Sequence, residues 1–299
     1  MSVRLGINPL TWTNDDMPSL GGDTPLEVCL AEGKQAGFSG FELGHKFPRD
    51  PAVLGPILES HGLALVSGWY SSELLTRSAE EEIEALKPHL HLLKSLGATA
   101  MVFCEVTHCV HGQRDVPLSH SPTMSEAKWQ RFLPRLNEVA DYCQEQGVQI
   151  AYHHHLGTVI ETEEEIDRLM AGTRPSVGLL LDSGHLVGAG GDPLAVQQKY
   201  AERINHVHCK DIRREVLADV RNRDLSFLEG VLNGMFTVPG DGYIDYTSLF
   251  RQLAASDYAG WLVVEAEQDP AVAHPLTYAR LGRDNLKRFC AEAGLTVTE

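Results

Sequence analysis

Val177-Gly178-Leu179-Leu180-Leu181-Asp182-Ser183-Gly184-His185 is the stretch on which the fold reading turns. An unbroken run of apolar and small residues stops at a carboxylate, a serine, a glycine and a histidine. A short apolar run without alternation is what a strand buried on both faces requires, as in a parallel sheet covered by helices. Three further segments repeat the arrangement. Val148–Tyr152 leads into His153-His154-His155, Ile204–Cys209 carries His206 and His208 ahead of Lys210 and Asp211, and Trp261–Val264 leads into Glu265-Ala266-Glu267. In each, the chemistry-bearing residues stand at the C-terminal end of the strand.

Working outward, the rest of the chain supplies the alternation that such strands need. Earlier strands are expected at Val3–Asn8, Gly40–Leu43, Leu63–Trp69 and Ala100–Glu105. Helices are expected at Pro25–Ala36, with Thr24 as N-cap and Gly37 at its end, at Pro51–His61, and at Ala79–Leu96 before Gly97. A long polar loop, 106–124, precedes a helix capped by Ser125 and running to Gln146. Helices at Glu163–Met170, Pro193–Tyr200, Tyr246–Ala255 and Leu276–Glu292 complete the pattern, and an irregular segment fills 211–242. Eight strands alternating with eight helical segments describe an α/β fold, a single (β/α)8 TIM barrel domain over residues 1–299. A doubly wound open sheet would call for a glycine-rich phosphate turn, and the chain has no Gly-x-Gly-x-x-Gly or P-loop. The loops after strands four and seven belong to the C-terminal barrel face, where barrel enzymes keep their chemistry.

The composition narrows the partners. The chain has 299 residues, 43% of them hydrophobic, and a formal net charge of -16. That acidity opposes a nucleic-acid partner, which needs Lys and Arg to displace counterions, and it disfavours anionic membranes. No secretory signal is read at Met1–Gly6, and no apolar run is long enough to span a bilayer. Cys29, Cys104, Cys109, Cys143, Cys209 and Cys290 are scattered without Cys-x-x-Cys spacing, as in a reducing compartment. A cytoplasmic enzyme acting on a small molecule is expected, and a homo-oligomer is compatible with this reading.

Strand side chains alternate faces, so His153 pairs with His155, His206 with His208, and Glu265 with Glu267. Apolar neighbours such as Val207 and Val264 take the helix-facing side, and the polar pairs point into the barrel mouth. Imidazoles and carboxylates from four neighbouring strands make a mixed N/O site suited to Mn, Co, Zn or Fe. The expected ligands are His153, Asp182, His208 and Glu265, although period two does not separate His153 from His155 or Glu265 from Glu267. His155, His185, Lys210 and Glu267 then face the substrate or support the ligands. Each has a plainer reading: Asp182 as a helix cap, the histidine triplet as the start of a solvated loop. Asn8, Thr11, Trp12, Trp69 and Tyr70 end strands one and three, where aromatic and hydroxyl groups suit a polyol, or simply pack under loops. Glu105, His108, Glu42, His45, Lys46 and Arg214 complete the substrate-binding candidates.

These motifs carry a family resemblance. Asp182-Ser183-Gly184-His185, His206-Val207-His208-Cys209-Lys210-Asp211 and Trp261–Glu265 resemble the xylose isomerase-like barrels. Gly6–Asp16, Lys46–Asp50, Val66–Ser71, Tyr152–Thr158, Val238–Gly242 and Glu265–Pro270 are similar to the inosose dehydratases of that superfamily, and the likeness spans nearly the whole chain. The resemblance implies a metal held by Glu, Asp, His and Glu from strands five to eight. The last three fall on Asp182, His208 and Glu265; the first falls on His153, a departure from the usual Glu, and His45 stands where close relatives have Asn. It further implies Mn2+ or Co2+, admits glutathione as a second cofactor, and points to dehydration of a keto-inositol, a cyclic polyol ketone. Glu267, His155 and His185 are then acid and base candidates, with Lys210 holding a developing oxyanion. A metal-dependent ketose or inosose isomerase or epimerase is the alternative, since enolisation is its first step too.

Overall fold

The computed structural model describes residues 2–298; Met1 and Glu299, the ends of the expected domain, lie outside the described residues. In chain order the elements begin with β1 (Ser2–Ile7), α1 (Leu26–Ala36), β2 (Gly40–Phe41), α2 (Pro51–Ser60), β3 (Ala64–Leu65), β4 (Trp69–Ser72), α3 (Ala79–Ser95) and β5 (Ala100–Glu105). They continue with α4 (Glu126–Glu145), β6 (Gln149–His153), α5 (Glu163–Gly172), β7 (Val177–Asp182), α6 (Ser183–Gly188), α7 (Pro193–Tyr200) and β8 (Ile204–Cys209). The last are β9 (Asp211–Ile212), α8 (Arg214–Asn222), α9 (Phe227–Leu232), β10 (Phe236–Thr237), α10 (Tyr246–Ala255), β11 (Trp261–Val264), α11 (Pro275–Ala293) and β12 (Thr296–Thr298).

The parallel strands run in the order β3-β2-β1-β11-β8-β7-β6-β5-β4. The segment 64–72 supplies both ends of that path, β3 against β2 and β4 against β5, so it closes the barrel. The expected (β/α)8 architecture is the one observed. The helices start where local chemistry says they should. Ser78 with Glu81 and Thr162 with Glu165 form capping boxes on α3 and α5, and Asp50 and Ser125 cap α2 and α4.

Four expectations need correcting. Thr24 does not cap α1: the N-cap position is Pro25, which offers no side-chain acceptor. The third strand is two short pieces, because its first part pairs with β2 and its second with β5. The last helix does not end the fold, since β12 pairs with β1 beyond it. The irregular segment 211–242 is ordered into β9, α8, α9 and β10, with β9 and β10 antiparallel. It has its own small core of Ile212, Leu217, Val220, Phe227, Val231, Met235 and Phe236. Its pattern is hard to read because α8 buries only Leu217 and Val220 among nine residues. None of the described helices is long and apolar enough to cross a membrane.

Candidate active site

Parallel pairing places the ends of consecutive strands side by side. Asp182 of β7 is in register with His208 of β8, and His208 with Val263 of β11, two residues before Glu265. His153, Asp182, His208 and Glu265 thereby converge, each offering one ligand atom within 4.8 Å of the others. All four are buried, at most 4% exposed. His208 Nδ1 lies 2.5 Å from Glu265 Oε2 and 3.4 Å from Asp182 Oδ2. His153 Nε2 lies 3.6 Å from Asp182 Oδ2 and 4.0 Å from Glu265 Oε2.

The hydrogen bonds around this group select the atoms that face inward. His153 Nδ1 donates to His154 O at 2.6 Å, which leaves the Nε2 lone pair pointing at the centre. His208 Nε2 donates to Glu42 Oε1 at 3.1 Å, which leaves Nδ1. Asp182 does both things its sequence position suggested: Oδ1 caps α6 by accepting the His185 N–H at 2.9 Å, and Oδ2 turns to the cluster. Apart from their contacts with one another, His153 Nε2, Asp182 Oδ2, His208 Nδ1 and Glu265 Oε2 are buried without a hydrogen-bond partner. Buried polar atoms are nearly always satisfied, so four orphans facing one point fit a cation that all four would share. Two imidazole nitrogens and two carboxylate oxygens suit a borderline divalent ion.

Glu42 has a second place that sequence reasoning missed. It stands at the end of β2, on the far side of the barrel, and was expected to face the substrate; it lines the cavity. Its carboxylate also takes three donors: His206 Nε2 at 2.7 Å, His208 Nε2, and Asn8 Nδ2 at 2.8 Å. Burial opposes its charge, but His208 and His206 hold its pKa well below the usual carboxylate range. A carboxylate on the outer nitrogen of a ligating histidine fixes its tautomer and raises its basicity.

A second group lies beside the first. Lys210 Nζ donates to Glu267 Oε1 at 2.7 Å, reaches Glu265 Oε1 at 3.3 Å, and meets His185 Nε2 at 2.8 Å. Gly184 permits this, since a Cβ there would come within 2.6 Å of the lysine stem. His185 Nδ1 accepts the Leu156 N–H at 3.1 Å. A neutral imidazole has one N–H and one lone pair, so it cannot accept at both nitrogens. Burial opposes the Lys210 charge, but Glu265 and Glu267 raise its pKa and keep it an ammonium, so the His185 ring accepts at only one of these two contacts. Glu267 is pushed up to about 7, by burial first, with Lys210 pulling down and Glu265 pushing up. His155 is lowered well below its ordinary value by burial and by His111, His153 and Lys210, so it stays neutral. Its Nδ1 donates to Leu156 O at 2.7 Å, which makes Nε2 an acceptor.

The cavity above has a volume of about 80 Å³. Its wall includes His208, Glu265, Glu267, His155, Asn8, Trp69 and Glu42 from the expected set, and Leu10, Leu43, Val102, Asp15, Asp16 and His111 besides. Trp69 sets its ring edge-on to His153 and His155, at 5.5 and 5.4 Å between centroids. Lys210 and His185 stand behind Glu267, not on the wall, so Lys210 meets carboxylates instead of a substrate oxyanion. The once-irregular segment seals them: Phe227 stacks on His185 and Phe236 lies 4.7 Å from Lys210 Nζ.

Eight substrate-binding candidates do not line the cavity: Thr11, Tyr70, His108, His45 and Lys46, and three whose surroundings show where they went, Trp12, Glu105 and Arg214. A 3-10 turn at Pro9–Thr11 carries Trp12 into the layer between β2 and α1, where its Nε1 donates to Glu32 at 2.6 Å and its ring tilts against Phe41. Glu105 is fully buried, holding the Thr107 N–H and the Ser72 hydroxyl at 2.9 and 3.2 Å, and burial lifts its carboxyl to about 6. Arg214 is exposed and lies over the Tyr243 ring. None of the three lines the cavity. Period and strand position gave no warning, because both describe the strand and not the turn that follows it.

The sequence matches the model of the xylose isomerase-like TIM barrel family over residues 30–289. A Rhizobium meliloti protein named rhizopine catabolism protein MocC is 51% identical over 298 residues, which cover 100% of this chain and 92% of that protein. An inosose dehydratase of Geobacillus thermodenitrificans is 47% identical over 290 residues, 96% of this chain and 97% of that protein. Among solved structures, an L-ribulose 3-epimerase superposes with a TM-score of 0.68 at 18% identity over 98% of this chain and 96% of that one, a likeness of fold alone. The chain thus belongs to the xylose isomerase-like TIM barrel family, in which its near-full-length relatives include the inosose dehydratases.

Proposed function

We propose that this protein is a hydro-lyase that removes water from 2-keto-myo-inositol (scyllo-inosose) to give a trihydroxycyclohexane-dione, in inositol breakdown. The observation that carries the reading is the set of four orphaned ligand atoms under a polar cavity, in a chain that is 47% identical to an inosose dehydratase. His153, Asp182, His208 and Glu265 would hold Mn2+ or Co2+. When bound, such an ion supplies positive charge that stabilises an enolising ketone.

The chain's own groups divide the proton work. His155 Nε2, an acceptor on the cavity wall, takes the proton from the carbon beside the carbonyl. Glu267, its carboxyl raised toward neutrality, donates a proton to the departing β-hydroxyl, which leaves as water. The electron pair of the broken C–H bond becomes the new C=C, and the C–O pair leaves with oxygen. The enol then tautomerises to the dione. Lys210 stabilises the carboxylate left on Glu267, and proton exchange with solvent resets His155 and Glu267 after each turnover. No step calls on glutathione.

The test is a metal-stripped sample incubated with scyllo-inosose, with Mn2+ or Co2+ then restored, while the dione chromophore is followed. Turnover that disappears and returns with the ion supports the reading. Full activity in the stripped protein, or an epimer as the only product, overturns it. The 51% relative supports a second reading, a substrate drawn from rhizopine breakdown. Such a compound run beside scyllo-inosose separates the two by kcat/KM.

A further inference from the structure

The cavity has a polar wall that the proton chemistry leaves unused. Asp16, on the loop after β1, and His111, on the loop after β5, both line it. His111 Nε2 and Asp16 Oδ1 are 3.5 Å apart, too far for a good hydrogen bond with each other and close enough for both to reach one oxygen. Neither is a chance surface group. Asn14, fully buried, accepts the N–H groups of Asp16 and Met17 at 2.9 and 2.8 Å and sets the turn that aims Asp16 inward. The same side chain reaches Glu267 Oε2 at 3.5 Å, which ties that turn to the proton machinery.

His111 is held from three sides. Its ring lies 4.7 Å from that of His155 and sets edge-on to Trp69 and Phe227. Gly157, at φ +80°, lets the backbone of the loop after β6 come up beneath it: a Cβ there would stand 2.8 Å from the His111 N. Burial opposes a charge on His111, but Asp16 and Cys109 raise its pKa to about 10, so it serves as a donor.

We propose that Asp16 and His111 recognise a ring hydroxyl on the side of the substrate turned away from His153, Asp182, His208 and Glu265. The carboxylate accepts the hydroxyl hydrogen and the imidazole donates to the hydroxyl oxygen. A hydroxyl is the group that satisfies an acceptor and a donor at one atom. A ring lacking it leaves the buried His111 donor and the half-buried Asp16 carboxylate without that common partner, which is how such sites discriminate. The pair also links two loops across the mouth, so the hydroxyl it selects is read where the cavity closes. This rests on the polyol-ketone reading above and adds the residues that set its specificity.

The experiment compares Asp16→Asn and His111→Gln with the unaltered protein, after circular dichroism and metal content have matched the three. With scyllo-inosose, each change is expected to raise KM about tenfold or more and to leave kcat within about threefold, the signature of lost uniform binding. With a cyclohexanone bearing hydroxyls only next to the carbonyl and at the β-carbon from which water leaves, the variants and the unaltered protein should share one KM. A fall in kcat alone, equal losses on both substrates, or no change in KM overturns the proposal. Should the unaltered protein not turn over scyllo-inosose, the polyol-ketone reading fails, and calorimetry with myo-inositol decides this one separately. Binding weakened in both variants upholds the hydroxyl pair; equal binding, or none to the unaltered protein, overturns it.

Discussion

The two walls of the cavity are built in different ways. One comes from the ends of β6, β8 and β11, where His155, His208, Glu265 and Glu267 are all but sealed from solvent and fixed by neighbours, with His153 and Asp182 beneath them. The other comes from loops after β1, β2 and β5, where Asp15 is exposed and Asp16 half-buried. The strand-built wall concentrates charge in a dry place, where electrostatic interactions are strong and misplacement is costly. The loop-built wall is wetter, with Leu10, Leu43 and Trp69 to pack against a ring. Rigid, desolvated groups suit reaction, and groups nearer to water suit the choice of what enters.

That contrast is sharpest at Glu267. Replacing Glu267→Gln keeps the shape and removes the proton, so kcat should fall by about 10²–10⁴ while metal content is unchanged. Steady-state kinetics beside elemental analysis reads both, and an unaltered kcat takes the acid role away from Glu267. The next effect is expected beneath the wall. Glu42→Gln weakens the hold on the His208 N–H, and metal affinity should drop about 10- to 100-fold with the fold intact. Chelator competition measures it, and an affinity equal to that of the unaltered protein assigns Glu42 to packing alone. The smallest effect belongs outside both walls. Arg214→Ala removes an exposed guanidinium from the Tyr243 ring, and stability should change by less than about 0.5 kcal/mol. Its KM should match that of the unaltered protein, and a rise in KM would return Arg214 to the substrate side.

What could be read beforehand followed from short-range rules. The runs into His153, Asp182, His208 and Glu265 reveal strands because a strand buried on both faces has little room for polar residues until it ends. The helix starts at Ser125 and Asp50 are equally local, being one side chain on one backbone N–H. Thr24 was misread for the same reason in reverse: a capping residue stood in sequence where the chain does not yet turn into α1. Segment 211–242 was opaque because its apolar residues are sparse and pack mainly on one another and on Leu156, not on the barrel.

The sequence by itself determined the barrel, the end of the barrel that carries the chemistry, and the pairs of residues sharing a face, because alternation and burial are properties of each strand alone. Tertiary structure decided where each member of a pair is placed. His153 turns to the four-residue cluster and His155 to the open cavity; Glu265 joins that cluster and also lines the cavity, with Glu267 beside it. It brought Glu42 to His208 across 166 positions of chain, sent Trp12 behind the wall, and set Lys210 at the back of Glu267. The reason is geometric: depth along the barrel axis and contact across its interior depend on register and closure between strands, which no single strand encodes.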